Sequence, residues 1–352
     1  MFATFLKSLR PRSPAATRDL RFGAARNAYE RGDYALAEPE FVDLTRQEPG
    51  AGETWLYAGL CAYRLGQFER ARERFERARD IEPSNREYLY QEAAALAMLG
   101  RSQDAIRICE RVVELAPEFD QPYRLWAALA LPGESYFAFL ARLHGHFQPP
   151  TYVEIGVFEG ESLHLVGPST RAIGIDPAPR IVFPVPPHVR VFEATSDDFF
   201  AKHDLRAELG DAPVALGFID GMHRFEFALR DFINLERASA PSGTLLIHDC
   251  YPLERRSADR AGRNGFWSGD IWRLILILKK YRPDLMVHTL GFAPTGLGLV
   301  RGLDPSSTLL ADRYEAIVAE FTALDYAVLD DDKAGQLNLF SNRWEDILPL
   351  LQ

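Results

Sequence analysis

The stretch YVEIGVFEGESL, residues 152–163, runs from apolar residues through two glycines, Gly156 and Gly160, into polar residues that can open a helix. That order predicts a strand, a tight turn and a helix. Glycine has no Cβ, so such a turn lets backbone N–H groups lie close to whatever sits above it. Two kinds of occupant compete, a phosphate and a ligand whose body lies flat against the backbone. A third reading is that the turn only reverses the chain. The surrounding sequence has to decide.

Downstream, short β-rich runs alternate with helical stretches. Strands are predicted at YVEIGV (152–157), AIGID (172–176), VRVFEA (189–194), ALGFID (215–220) and TLLIHD (244–249). Their nearly unbroken apolar character suits parallel strands buried on both faces. Between them FEFALRDFINLERA (225–238) carries Phe227, Leu229, Phe232 and Leu235 as one apolar helix face. LMVHTLGF (285–292) and GLGLVRG (296–302), separated by APT, predict a hairpin that gives the sheet an antiparallel edge. The expectation is an open α/β sheet with its ligand at the carboxyl ends of the strands.

Upstream the pattern is different. Pro49, Pro83 and Pro117 recur at intervals of 34 residues, in register with Gly32, Gly66 and Gly100, with Ala37, Ala71 and Ala105, and with Phe41, Phe75 and Cys109. Each unit reads as two antiparallel helices that small residues allow to approach closely. This resembles the tetratricopeptide (TPR) family over residues 18 to about 131, with DQPYRLWAALAL (120–131) capping the last repeat. The resemblance implies a partner in the concave groove, where Phe22, Leu56 and Tyr90, with Tyr29 and Tyr63 one turn on, would lie. The groove suits a partner helix, a second copy of the chain or the protein's own second domain. Plain packing between helices accounts for the same residues. The Lys/Asn set that clamps a terminal carboxylate in some members is absent.

With 352 residues, 47% of them hydrophobic and 26% charged, the chain has room for two cores. A net charge of −10 argues against a general nucleic-acid binder, which needs a basic face. Cys61, Cys109 and Cys250 form no CxxC pair, which suits a reducing compartment and gives no zinc site. LILIL (274–278) is too short to span a bilayer. The opening MFATFLKSLRPRSP fails as a secretion signal because Lys7 and Arg10 interrupt it. It reads as a frayed leader, with a membrane-surface helix as the alternative. The expected location is cytoplasmic.

Acids answer the opening question. Asp176, Asp220 and Asp249 end three strands, Glu154 lies within the first, and residues 153–162 contain neither Lys nor Arg. A pyrophosphate would be repelled there. A ribose, an ammonium group and a cationic sulfur would be welcome, which favours S-adenosylmethionine. The residues resemble class I methyltransferases over roughly 136–303. The branch with EIG…G.S, IDG.H and HD is nearest, comprising catechol-type, sugar or macrolide O-methyltransferases and cephalosporin hydroxylase-like proteins. The resemblance implies a Rossmann-like sheet and roles near the bound cofactor. Gly156 and Gly160 allow close approach, Glu154 and Ser162 sit near the methionine part, Asp176 accepts from the ribose hydroxyls, and Ser196 and Asp197 contact adenine.

Methyl transfer to a hydroxyl needs a base or a metal, since an alcohol is a poor nucleophile at neutral pH. FIDGMHRF puts His223 three residues after Asp220, and IHDC puts Asp249 at the end of the neighbouring strand. Two carboxylates so placed can share a hard cation such as Mg²⁺. In metal-using relatives Asp220 and Asp249 match ligands and His223 matches the proposed base. Cys250 stands where catechol-type enzymes have Asn, and His248 where some sugar-type relatives have Glu. Both suit Mg²⁺ poorly, so the metal stays open. His223 also admits a structural role, and His248 a packing or orienting one. NGFWSGDIWRLI (264–275), after the charged and mobile-looking ERRSADRAGR, offers Trp267, Asp270 and Trp272 as a lid or sugar platform, or as core.

The expected organisation is a flexible leader (1–17), a TPR domain of three repeats plus a capping helix (18–131) and a linker or helix (132–150). A class I methyltransferase domain (151–303) and a C-terminal helical extension (304–352) follow. The expected function is S-adenosylmethionine-dependent O-methylation of a sugar, glycan or glycosylated natural product, with a partner or self-association through the TPR groove. An adaptor that binds the cofactor without catalysis is the alternative. An iron-dependent oxygenase ranks last, because IHDC lacks the His-x-Asp spacing.

Overall fold

In the computed structural model, which describes residues 13–262 and 265–352, the first part of the chain is a series of paired helices. They are α1 (Pro14–Glu30), α2 (Tyr34–Gln47), α3 (Gly52–Arg64), α4 (Phe68–Ile81), α5 (Arg86–Met98), α6 (Ser102–Leu115) and α7 (Asp120–Ala130). Gly32, Gly66 and Gly100 take φ of +86°, +74° and +73° at the turn inside each pair. A residue without Cβ enters that left-handed region freely, and it closes the preceding helix. The closing bonds repeat with the sequence: Asp33, Gln67 and Arg101 each donate N–H to the carbonyl of Ala28, Ala62 and Leu96 at 2.9 Å. Ala37, Ala71 and Ala105 are fully buried where the helices meet, as are Phe41, Phe75 and Cys109.

The groove candidates are half-buried and pack on neighbouring rings. Phe22 lies 5.5 Å from Phe41 and 5.6 Å from Tyr57, Tyr29 lies 5.6 Å from Tyr57, and Tyr90 lies 5.5 Å from Phe119. Tyr63 meets Phe68 at 5.3 Å, and Leu56 packs against the buried cluster of Ala62, Ala71, Phe75 and Ala95. Helix-to-helix packing therefore uses part of each side chain. Residues 1–12 of the leader lie outside the described residues. Its remainder is a correction, because Pro14 already opens α1. Ser13 caps that helix, accepting from Ala16 N–H at 3.2 Å, and proline suits its first turn.

The chain divides after Leu129 into two compact units. The second unit begins with α8 (Tyr136–Phe147) and centres on strands β1 (Thr151–Ile155), β2 (Arg171–Asp176), β3 (Arg190–Glu193), β4 (Val214–Ile219) and β5 (Ser239–His248). Strands β6 (Met286–Leu290), β7 (Leu297–Arg301) and β8 (Leu339–Phe340) complete the sheet. Its order is β3-β2-β1-β4-β5-β7-β6-β8. The first five strands are parallel, and β7 enters antiparallel between β5 and β6.

Successive residues of a strand serve opposite faces. Val153 and Ile155 join the core under α9 (Ser196–Lys202), α10 (Leu205–Glu208), α11 (Phe225–Ala238) and α12 (Trp272–Tyr281). Tyr152 joins the core on the other face with Phe139, Leu140 and Leu143 of α8.

The C-terminal segment is more than the helical extension expected. It holds α13 (Leu309–Asp312), α14 (Tyr314–Thr322), α15 (Lys333–Gln336) and α16 (Trp344–Leu351), and also the edge strand β8, which pairs parallel with β6. Thr289 and Gly291 donate N–H to the carbonyls of Asn338 and Phe340, so the hairpin's open edge is covered. Leu337, Ile347 and Leu351 are buried in the two cores.

One buried group in α8 makes stability depend on pH. His144 is 3% exposed, neither ring nitrogen has a hydrogen bond, and burial pushes its pKa down to about 4. Below its ordinary value of 6.5 the unfolded chain binds a proton that the native state refuses. Stability therefore falls as pH drops from 6.5 towards 4. By about pH 5 the loss is about 2 kcal/mol. His144→Phe should remove it, so that urea unfolding shows a flatter pH dependence than the parent. Equal slopes for both proteins would contradict this.

Candidate active site

The glycine turn is held from two sides. Gly156 has φ +90°, and a Cβ there would collide with the carbonyl oxygen of Asp220 at the end of β4. Asp176, the last residue of β2, accepts N–H from Val157 at 2.8 Å and Phe158 at 2.9 Å on Oδ2, and from Ala178 at 2.7 Å on Oδ1. Its carboxylate thus orders the turn itself. Glu154 and Ser162 lie beneath the turn and bond to each other. Glu154 is fully buried and accepts from Ser162 Oγ at 2.6 Å and Tyr152 Oη at 2.7 Å. Burial raises its carboxyl to about 8, against the two hydrogen bonds, which favour the charged form.

Above the strand ends is a cleft of about 730 Å³, whose walls include Gly156, Asp176, Ser196, Asp197, Asp220 and His223. Glu154, Gly160 and Ser162 are not part of that wall. Thr195 caps α9 and so presents Ser196 and Asp197 to the cleft. Asp197 is occupied by a two-pronged bond from Arg230, at 2.8 and 2.6 Å.

Where Asp220, His223 and His248 line the cleft, the acids that follow β4 and β5 meet two imidazoles, and Asp249 itself is buried outside the wall. His223 Nε2 lies 3.1 Å from Asp249 Oδ2 and 3.7 Å from Asp220 Oδ1. His248 Nδ1 lies 3.1 Å from Asp220 Oδ1 and 3.5 Å from Asp249 Oδ1. Thr295 donates its hydroxyl to Asp249 Oδ1 at 2.5 Å. His248 therefore bridges the two carboxylates, which fits the orienting role among those its position allowed. Burial alone would lower His223, but Asp249 and Asp220 outweigh it and raise the ring to about 9. Burial likewise opposes the charge on Asp220, yet the two histidines hold its carboxyl well below the usual range. Nδ1 of His223 faces the carbonyl of Trp267 at 3.3 Å. With that nitrogen protonated, Nε2 is the one left to exchange a proton or bind a metal.

Asp220, His223 and Asp249 offer three ligand atoms within 4.8 Å of one another. Oδ2 of Asp249 has no well-directed hydrogen bond, although His223 is near. Two carboxylate oxygens and one imidazole nitrogen fit a divalent cation. Cys250 is fully buried and its thiol turns to the carbonyl of Ile247 at 3.2 Å, so it stays out of the cluster.

The segment after β5 resolves the three lid candidates, with Arg263 and Asn264 outside the described residues. Residues 254–257, expected to be mobile, close into a turn in which Glu254 accepts N–H from Arg256 at 2.6 Å and Ser257 at 2.8 Å. Trp272 is fully buried core. Asp270 is fully buried and structural, accepting from Phe225 N–H at 2.9 Å, Arg260 at 2.5 Å and Arg273 at 2.6 Å. Trp267 alone of the three lines the cleft, its ring 5.0 Å from that of His223.

Two further residues of the wall had no signal in the sequence. Phe227, read from the sequence only as part of an apolar helix face, lines the cleft, and so does Asp231 one turn later. Asp231 is 3% exposed, and burial raises its carboxyl to about 7 while Ser196 opposes the shift.

Comparison with known proteins matches each part separately. Residues 22–78 and 62–118 match the tetratricopeptide repeat family, and residues 153–250 match a family described as a methyltransferase domain. Among solved structures, the first TPR domain of human RPAP3 is 18% identical, over 32% of this chain and 88% of that one, with a TM-score of 0.31. MamA from Desulfovibrio magneticus RS-1 is 22% identical, over 32% and 63%, with a TM-score of 0.31. The Yersinia enterocolitica type III secretion translocator chaperone SycD is 21% identical, over 34% and 84%, also at 0.31. The chain is thus a set of tetratricopeptide repeats joined to a methyltransferase domain with the Rossmann-like class I sheet.

Proposed function

We propose that the α/β unit is an S-adenosylmethionine-dependent O-methyltransferase for a hydroxyl of a sugar, glycan or glycosylated natural product. The observation that carries this is the meeting of buried Asp249 with Asp220 and His223, two residues of a cleft wall that Gly156 also lines. Bound S-adenosylmethionine supplies a methyl group made electrophilic by its positive sulfur. Gly156, Phe158 and Asp176 line the cleft, and the bonds from the turn to Asp176 hold that part of the wall in place for the ligand. Asp220 and Asp249 would hold a divalent cation, which would supply a lowered pKa for an acceptor hydroxyl. His223 Nε2, beside both carboxylates, is the nitrogen placed to take the hydroxyl proton. Trp267 offers a flat apolar face beside that histidine, of the kind sugars stack on.

The repeats, in this reading, recruit a protein partner or a second copy of the chain through the exposed parts of the groove residues. Three buried free thiols are in keeping with a reducing, cytoplasmic setting. No helix among the described residues is long and apolar enough to cross a membrane.

The test is transfer of a labelled methyl group from S-adenosylmethionine to a panel of glycans, with and without a chelator. Label in a methyl ether, lost on chelation and restored by Mg²⁺ or Mn²⁺, is expected. Tight cofactor binding with no transfer to any acceptor would instead mark an adaptor, and activity unaffected by chelation would remove the metal.

A further inference from the structure

We propose that Thr295, in the turn between β6 and β7, is the positioning residue for Asp249, its hydroxyl setting the carboxylate so that Oδ2 faces His223. The inference rests on the catalytic reading above and adds the antiparallel hairpin of the sheet to the site.

Strand register brings the hairpin to the site. β5 pairs antiparallel with β7, His248 opposite Leu297, so Asp249 and the turn that precedes Leu297 meet just beyond that pair. Both partners are buried, Asp249 at 3% exposure and Thr295 at 2%. Thr295 grips the end of β5 twice. Its hydroxyl donates to Asp249 Oδ1 at 2.5 Å, and its carbonyl accepts N–H from Tyr251 at 2.5 Å. Gly296 lets the two segments touch, since a Cβ there would lie 2.6 Å from Cβ of Tyr251.

Asp249 needs such a grip because its backbone is strained. Its φ is +63°, a left-handed value that residues with a Cβ adopt only at a cost, and the surrounding bonds have to hold it there. Two donors compete for Oδ1. His248 Nδ1 lies 3.5 Å away, but its shorter contact is with Asp220 at 3.1 Å, and the Thr295 hydroxyl is much closer. The threonine therefore decides how the carboxylate is turned. Oδ2 is left buried without a hydrogen bond, 3.1 Å from His223 Nε2, where a metal ligand or a partner for the imidazole is wanted. With the hydroxyl removed, the carboxylate is free to turn towards His248 and away from His223. A hydroxyl sets it without adding a positive charge that would compete with a bound cation.

The experiment compares Thr295→Val, which keeps the shape and loses the hydroxyl, with Thr295→Ser, which keeps the hydroxyl. Each full chain is titrated with Mn²⁺, the free ion being read by electron paramagnetic resonance, and with S-adenosylhomocysteine by calorimetry. Methyl transfer is followed on the acceptor that the glycan panel returns. Thr295→Val should weaken Mn²⁺ binding and lower turnover, each by about 10–100-fold, the range for a residue that orients a metal ligand. Its affinity for S-adenosylhomocysteine should stay within about threefold of the parent, and Thr295→Ser should stay within about threefold in every measurement. In an Asp249→Asn background Thr295→Val should add little, since it acts through that carboxylate. If Thr295→Val does not fold, Thr295→Ala takes its place in the same comparison. A lowered melting temperature with parental Mn²⁺ affinity and turnover would make Thr295 a residue of the fold alone and overturn the proposal. Thr295→Ser as impaired as Thr295→Val, or a full further loss in the Asp249→Asn background, would also overturn it. A parent that transfers methyl groups without binding Mn²⁺ removes the cation from the reading above, and turnover then decides this inference. A parent that neither binds Mn²⁺ nor transfers a methyl group refutes that reading and this inference with it.

Discussion

Gly156→Ala should abolish cofactor binding and lower the stability of the α/β unit by about 2–5 kcal/mol. Two penalties combine at this position. The residue has φ +90°, where an L side chain is strained, and a methyl group would strike the carbonyl oxygen of Asp220. That carbonyl belongs to backbone and has no rotamer with which to yield. Gly156 donates N–H to Ile175 at 2.9 Å, and Asp220 donates N–H to Ile155 at 2.8 Å, so the end of β1 is pinned between β2 and β4. Relief has to move either the turn amides of Val157 and Phe158 or the strand end that carries Asp220. Gly160→Ala is the control. Its φ is also positive, at +81°, but a Cβ there meets only Val185 and Ile181 side-chain tips at 3.1 and 3.2 Å, which can rotate. It should cost less than half as much and leave most of the affinity. Thermal unfolding and calorimetry read both effects. A Gly156→Ala protein with parental melting and binding would show that the turn does not need its glycine.

The contrast between these two glycines marks how far sequence reading goes. Both were legible as turn residues, because glycine between an apolar run and a helix start is a local signal. Which of them is squeezed by a distant backbone was not, since Asp220 is 64 positions further along the chain. The repeats were legible for the opposite reason. Their contacts recur every 34 residues, so the same Gly and Ala columns report the same packing three times over. Strand β8 has two residues and no apolar run, and only its pairing with β6 makes it a strand. The ends of β2, β4 and β5 could be found from their acids, yet the partners of Asp176 could not, because its three amides are set by loop geometry. The place of Phe227 in the cleft was not legible for a physical reason too. Helical periodicity separates an apolar face from a polar one, but a face turned to a ligand cleft is apolar without being core.

The largest catalytic effect is expected at His223. His223→Ala should lower turnover about 10²–10⁴-fold, the usual range for a general base, while cofactor affinity stays within a few-fold. Its ring sits between Asp249 Oδ2 and the Trp267 carbonyl, so the change removes one imidazole and leaves the glycine turn untouched. Asp220→Asn and Asp249→Asn should cost as much, because each replaces a carboxylate that both fixes the histidine and offers a metal ligand. Asp220→Asn combined with His223→Ala should add little to either alone, since groups acting as one unit are not additive. His248→Gln is the informative neighbour. Its Nδ1 bonds to Asp220, and an amide can replace that bond, so it should lose far less than His223→Ala if it only orients the carboxylate. Free imidazole offers a further separation, since it can enter the space left by His223→Ala and restore part of the rate if the ring moves a proton. Single-turnover kinetics with a confirmed acceptor give each of these numbers. Full turnover by His223→Ala would make the histidine structural and leave the carboxylates, with or without a cation, to activate the hydroxyl.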